Sequence, residues 1–146
     1  MKHSKTIPIP VMLAVALIIA APRPADSAEK VFRAGAYAID ITPTKLPVIV
    51  SGMFLERTAD QVHDPLHARC LVLDDGSTRV AIVIVDSLLM PRDLLDDAKQ
   101  AAQRTTGIPV ERMMIAATHS HSAPSVVGAL GSGVDEAYRQ FLPGRI

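Results

Sequence analysis

His119 and His121, separated by a single serine, are the residues whose type and spacing point most directly to chemistry. Neutral imidazole is a good zinc ligand, with Zn–N distances of about 2.0–2.1 Å. On an extended segment, residues i and i+2 project to the same side, so both rings would reach one ion or one bound molecule. A hydrolytic zinc centre needs about three protein ligands and an open position, where the acidity of water is raised to a pKa near about 7. A His-x-His pair supplies only part of that set. A histidine can equally serve as a hydrogen-bonding residue of the fold.

Other candidates stand around this pair. Asp86 ends an apolar run; it either orients a ligating imidazole from behind or bonds backbone N–H groups at the start of the following helix. His63 and His67 flank Asp64-Pro65 and read as surface polar residues. Ser120 and Ser122 have only the histidines as bases, and no Gly-x-Ser-x-Gly elbow surrounds them. Asp40 reads as a turn cap acting through Thr42. No phosphate loop, dinucleotide fingerprint or CxxC pair is present.

The elements that must position these residues are legible in the pattern. Residues 32–41 alternate loosely and run into Pro43, a short strand leading to a loop. Residues 46–54 are apolar with Gly52 inside, and 56–65 read as a polar surface loop. Residues 69–73 and 79–86 are strand candidates around Asp74-Asp75-Gly76-Ser77, a hairpin signal. The run 80–85 is continuously apolar, which predicts a strand covered on both faces. A helix follows: Pro91 suits its first turn, Asp93, Asp96 and Asp97 suit the positive end of its dipole, and Gly107 and Pro109 end it. Leu94, Leu95, Ala98, Ala101 and Ala102 make its apolar stripe. Residues 113–117 are a second buried strand, and strand, helix, strand in this order implies a parallel βαβ crossover. Parallel strands place their carboxyl ends on one edge of the sheet, where ligands gather in open α/β folds. Asp86-Ser87 and Thr118–Ser122 fall on that edge. The Gly/Ser-rich stretch 123–133 reads as a mobile loop beside it, and residues 135–142 as the start of a helix.

The 146 residues carry 15 basic and 15 acidic side chains, with 49% hydrophobic residues. That is enough apolar material for a core, and the neutral balance argues against a nucleic-acid binder. One cysteine, Cys70, excludes an internal disulfide framework and reads as a packing residue. Residues 1–28 have the pattern of a secretory signal peptide. Lys2 and Lys5 precede the apolar run VMLAVALIIAA, and small residues follow it. An uncleaved membrane anchor is the other reading of this segment. The fold class expected for the remainder is α/β, a β-hairpin plus a βαβ unit, and an incomplete piece of a larger layered domain.

Three segments resemble the amino-terminal part of the neutral/alkaline, non-lysosomal ceramidases. Ala36-Tyr37-Ala38-Ile39-Asp40-Ile41-Thr42-Pro43 is similar to that family's opening strand. Val62-His63-Asp64-Pro65-Leu66-His67-Ala68-Arg69 is similar to its His-x-x-Leu-x-Ala-Arg segment. Ala117-Thr118-His119-Ser120-His121-Ser122-Ala123-Pro124 is similar to its Thr-His-Thr-His-Ser-Gly-Pro-Gly-Gly motif.

The resemblance implies a zinc amidase that hydrolyses the N-acyl bond of ceramide, held to its metal by two His, a Glu and a Tyr. It implies that His119 is the metal ligand and that His121 serves catalysis through substrate or the water network, with the exchange of these two roles left open. The second His, the Glu and the Tyr would lie beyond Ile146, so residues 29–146 would be the amino-terminal portion of a catalytic domain and inactive alone. The implied partner is a lipid-amide substrate, with contact to a membrane surface through it. The family's Gly-Pro-Gly-Gly is Ala123-Pro124-Ser125-Val126 here. Cβ atoms therefore stand where glycines would let the backbone approach a substrate, and a related lipid amide is as open as ceramide. Two other readings use the same residues. One is a secreted, non-enzymatic α/β module that binds a ligand at the same edge. The other is a free-standing metal domain using His63, His119 and His121.

Overall fold

A computed structural model describes residues 31–146. The signal-peptide reading of residues 1–28 lies outside them. The described residues form, in chain order, β1 (Arg33–Asp40), β2 (Val48–Val50), β3 (Arg57–Ala59), β4 (His67–Asp74), β5 (Arg79–Val85), α1 (Arg92–Thr106), β6 (Met113–Ala117) and α2 (Glu136–Phe141), with one 3₁₀ turn at Val110–Arg112. The main sheet has the order β1-β4-β5-β6, and β2-β3 form a separate pair. This is the expected mixed α/β arrangement.

β4 and β5 are the antiparallel hairpin, with Asp74 opposite Arg79. The connection is therefore the four residues 75–78, not a two-residue Asp-Gly turn. Asp75 closes it: its carboxylate accepts the N–H groups of Ser77 at 2.9 Å and Thr78 at 2.7 Å. Gly76 supplies the left-handed step at φ 85°. β6 then pairs parallel to β5, from Ala81 opposite Met113 to Val85 opposite Ala117. α1 makes the crossover between them. It stops at Gly107, whose φ is 70° and whose N–H returns to the Gln103 carbonyl at 2.9 Å.

Side-chain alternation along the strands sorts the sheet into two faces. On one, Ala68, Val83 and Val85 pack with Leu94 of α1, Tyr138 of α2, Ile41, Val126 and Leu142. Leu94 is 2% exposed, and trimming it to alanine would cost about 2–5 kcal/mol. On the other face, Ala36, Leu71, Ile82 and Met114 lie in register across the four strands. There Leu71 is 38% and Met114 51% exposed. The apolar run 80–85 predicts cover on both faces, whereas the described residues cover one, because α1 and α2 both pack against the same side.

Two expectations for the connecting segments are corrected. The polar stretch 56–65 contains strand β3, held by pairing with β2. The stretch 123–133 is not a loose loop: Ala123, Ser125 and Val126 are fully buried. Their backbone is stitched to β2 and its continuation, through Ser51 N–H to the Ala123 carbonyl and Ser125 N–H to the Ile49 carbonyl. Ser132 Oγ adds a bond to the Val50 carbonyl at 3.0 Å. Small residues suit this segment because the backbones pack closely. Residues 135–142 form a helix start as expected, with Asp135 accepting the Tyr138 N–H at 3.0 Å.

Candidate functional site

The parallel pairing of β5 and β6 continues past both strand ends. Thr118 N–H bonds the Val85 carbonyl at 2.9 Å, and Ser120 N–H bonds the Ser87 carbonyl at 3.1 Å. Between them His119 takes φ 66°, a left-handed conformation uncommon outside glycine. The segment is therefore not extended, and the same-side argument for i and i+2 fails locally. Tertiary contacts bring the rings together instead, with centroids 5.0 Å apart in an edge-to-face arrangement.

Each imidazole is held from behind by a backbone carbonyl. His119 Nδ1 lies 3.2 Å from the Leu88 oxygen, and His121 Nδ1 lies 2.8 Å from the Gly52 oxygen. A carbonyl only accepts, so in the neutral rings the proton belongs on Nδ1 and the lone pair on Nε2. This is how metal-binding histidines are oriented by their surroundings. The two Nε2 atoms fit part of a zinc ligand set. Among the described residues, no group of three or more His, Cys, Asp or Glu side chains is gathered to hold an ion. His63, His119 and His121 accordingly do not assemble a three-ligand site.

The loop 51–57 and the segment 118–133 are laced together around His121. Arg57 donates to the His121 carbonyl at 3.2 Å, Phe54 N–H bonds the Leu130 carbonyl at 2.8 Å, and Gly133 N–H bonds the Glu56 carboxylate at 2.9 Å. Beside this lies a cleft of about 460 Å³, with Leu46, Val48, Val50 and Leu66 as apolar walls and Arg57 and Ser122 among its polar groups. In the loop that leads to Arg57, Met53, Phe54 and Leu55 are 47%, 76% and 78% exposed. Phe54 has φ 61°, so this apolar tip is held in an uncommon backbone conformation.

Asp86 has its partners on β4, not on the imidazoles or the helix. Its carboxylate accepts from Arg69 at 2.9 Å and from the His67 N–H at 2.9 Å. Burial pulls its pKa upward, but the bonds from Arg69 and His67 outweigh that and hold it below the usual carboxylate value. The orienting role falls to the Leu88 and Gly52 carbonyls instead. His63 is a surface residue, hydrogen-bonded to Asp64 at 2.8 Å, and that bond raises its pKa. Asp40 accepts the Thr42 N–H at 2.7 Å, the expected turn cap. The Ser120 and Ser122 hydroxyls pair with each other at 3.2 Å. Cys70 is half-buried against the core, and burial raises its thiol pKa.

Sequence reasoning passes over Gly52, Leu88 and Arg57. Two of them act through the backbone, and only Gly52 leaves a signal: a glycine inside an apolar run marks a close backbone approach. Ala123, Ser125 and Val126, which stand at the positions of glycines in the resembled motif, are fully buried.

Solved structures share the fold of most of this chain. Neutral ceramidase from Pseudomonas aeruginosa superposes with a TM-score of 0.69 at 22% identity, over 80% of this chain and 20% of that one. A ceramidase complexed with C2 gives a TM-score of 0.68 at 22% identity, over the same shares. The chain thus spans about a fifth of the length of the structures it matches. No protein-family model and no curated protein matches it.

Proposed function

We propose that the protein is a secreted, zinc-dependent amidohydrolase of neutral-ceramidase type, acting on the N-acyl bond of ceramide or a related lipid amide. In this reading residues 29–146 are the amino-terminal portion of its catalytic domain. The carrying observation is the histidine pair at the carboxyl edge of β5 and β6, each Nδ1 held by a carbonyl so that Nε2 keeps its lone pair. The shared fold with ceramidases supports it. The apolar sheet face left uncovered among the described residues, and the share of the ceramidase structures that is matched, support a longer chain. The leader pattern of residues 1–28 supports export.

His119 would hold zinc through Nε2, with further ligands from outside these residues. Zinc, when bound, supplies Lewis-acid polarisation of an amide carbonyl and raises the acidity of water. His121 Nε2 can accept a proton from water and, as imidazolium, return one to the leaving amine nitrogen. The Gly52 carbonyl stabilises that imidazolium and keeps the ring from turning. Arg57 fixes the backbone that carries it. The apolar cleft suits a hydrocarbon chain, and the exposed Met53-Phe54-Leu55 tip suits contact with the bilayer that contains such a substrate.

The test uses the protein isolated from its natural host. Zinc content and release of fatty acid from N-acylsphingosine are measured for the wild type and for His119→Ala. Loss of both in the variant supports the reading. A wild type without zinc and without hydrolysis sinks it in favour of a binding module, and zinc retained after His119→Ala sinks the ligand assignment.

A further inference from the structure

We infer that Gly52 is a positioning residue for His121, acting through its carbonyl and through its missing side chain. The catalytic meaning of that role rests on the function proposed above; the geometry does not. Gly52 has φ 83°, where an L side chain is strained. A Cβ there would lie 2.7 Å from His121 Nδ1 and 2.7 Å from Leu88 Cδ2. Buried Leu88 has little room to move, so the exposed His121 ring is the neighbour that must swing aside. Leu88 is 1% exposed, and the His121 backbone is held by Arg57. The ring can sit against the Gly52 oxygen only because position 52 has no side chain.

Leu88 links the two histidines. Its side chain packs against Gly52, and its carbonyl holds His119 Nδ1. One glycine therefore stands behind the orientation of both rings. A ring released from its carbonyl exchanges between its two neutral tautomers, so the basic lone pair is no longer kept on Nε2.

The test is the imidazole ¹⁵N spectrum of the protein at alkaline pH, where histidines are neutral. Wild type, Gly52→Ala and Gly76→Ala are compared. Gly76 has φ 85°, and no atom lies within 4 Å of the position a Cβ would take, so it controls for backbone strain alone. The expected wild-type result is His121 with well-separated ring nitrogens, protonated at Nδ1. In Gly52→Ala the two shifts converge, while in Gly76→Ala they do not. Wild-type His121 protonated at Nε2 overturns the inference, as does a Gly52→Ala spectrum identical to wild type. Should Gly52→Ala fail to fold, scalar coupling across the hydrogen bond between His121 Nδ1 and the ¹³C-labelled Gly52 carbonyl decides in the wild type: its presence supports the inference and its absence overturns it. Neither readout depends on zinc or on hydrolysis, so failure here is distinct from failure of the proposed function.

Discussion

The His121 ring and the Gly52 carbonyl meet at 2.8 Å across 69 residues of sequence. The contact ties the loop after β2 to the turn after β6. Together with the Leu88 carbonyl on His119, it gives both rings of a local His-x-His pattern assigned proton positions. Its neighbours in the same lacing yield several measurable consequences.

Gly131→Ala is expected to be strongly destabilising. Its φ is 78°, and a Cβ would collide with the Phe54 backbone carbonyl. Backbone cannot rotate away as a side chain can, so the cost exceeds the strain alone and reaches at least about 2 kcal/mol. Gly76→Ala has the same kind of backbone but open space, and should cost only about 1 kcal/mol. Urea unfolding of the two variants checks the order.

Asp86→Asn should lower stability by about 1–2 kcal/mol, through the lost charge on the Arg69 and His67 bonds. The pH dependence follows from the lowered carboxyl pKa. The folded state holds the ionised form better than the unfolded chain does. The contribution is present above the unfolded value of about 3.9 and fades as pH falls through the lower folded value. Wild type and variant should therefore converge in acid, and equal stability at neutral pH would contradict the assignment.

Under the proposed function, His63→Ala should change neither zinc content nor melting temperature. The ring is on the surface with Asp64 as its partner, and an exposed pair of this kind holds little. A drop in bound zinc would restore His63 as a ligand.

Replacing Phe54 and Leu55 together by serine should weaken sedimentation with phosphatidylcholine vesicles by about tenfold, the scale of partly withdrawing two apolar side chains from a bilayer interface. Under the proposed function, hydrolysis of a water-soluble short-chain amide should stay unchanged. Equal vesicle binding by both proteins would remove the proposed membrane role of this tip.

Local order is legible in the sequence. The apolar runs, Asp74-Asp75-Gly76 and the Gly107-Pro109 stop follow from short-range sterics and periodicity, and they specify the hairpin and the βαβ unit. Those alone place His119 and His121 on the carboxyl edge of parallel strands. The 123–133 segment departs from its expected mobility because glycine and serine serve close backbone packing as well as flexible loops, and nothing within the segment distinguishes the two. β3 is not legible because three residues, Arg57–Ala59, carry no period of their own and exist as a strand through β2.

The amino-acid sequence by itself determined which residues are candidates for chemistry, where the hairpin, the crossover helix and the parallel strand run, and which edge of the sheet the histidines occupy. These depend on neighbours a few positions apart. Only the tertiary structure decided that Asp86 belongs to Arg69, that Leu88 and Gly52 hold the imidazoles, and that the rings converge despite a left-handed His119. The Asp86–Arg69 pair and the two bonds to the imidazoles join segments distant along the chain, and the latter two are made by backbone carbonyls, which every residue possesses and no sequence pattern marks.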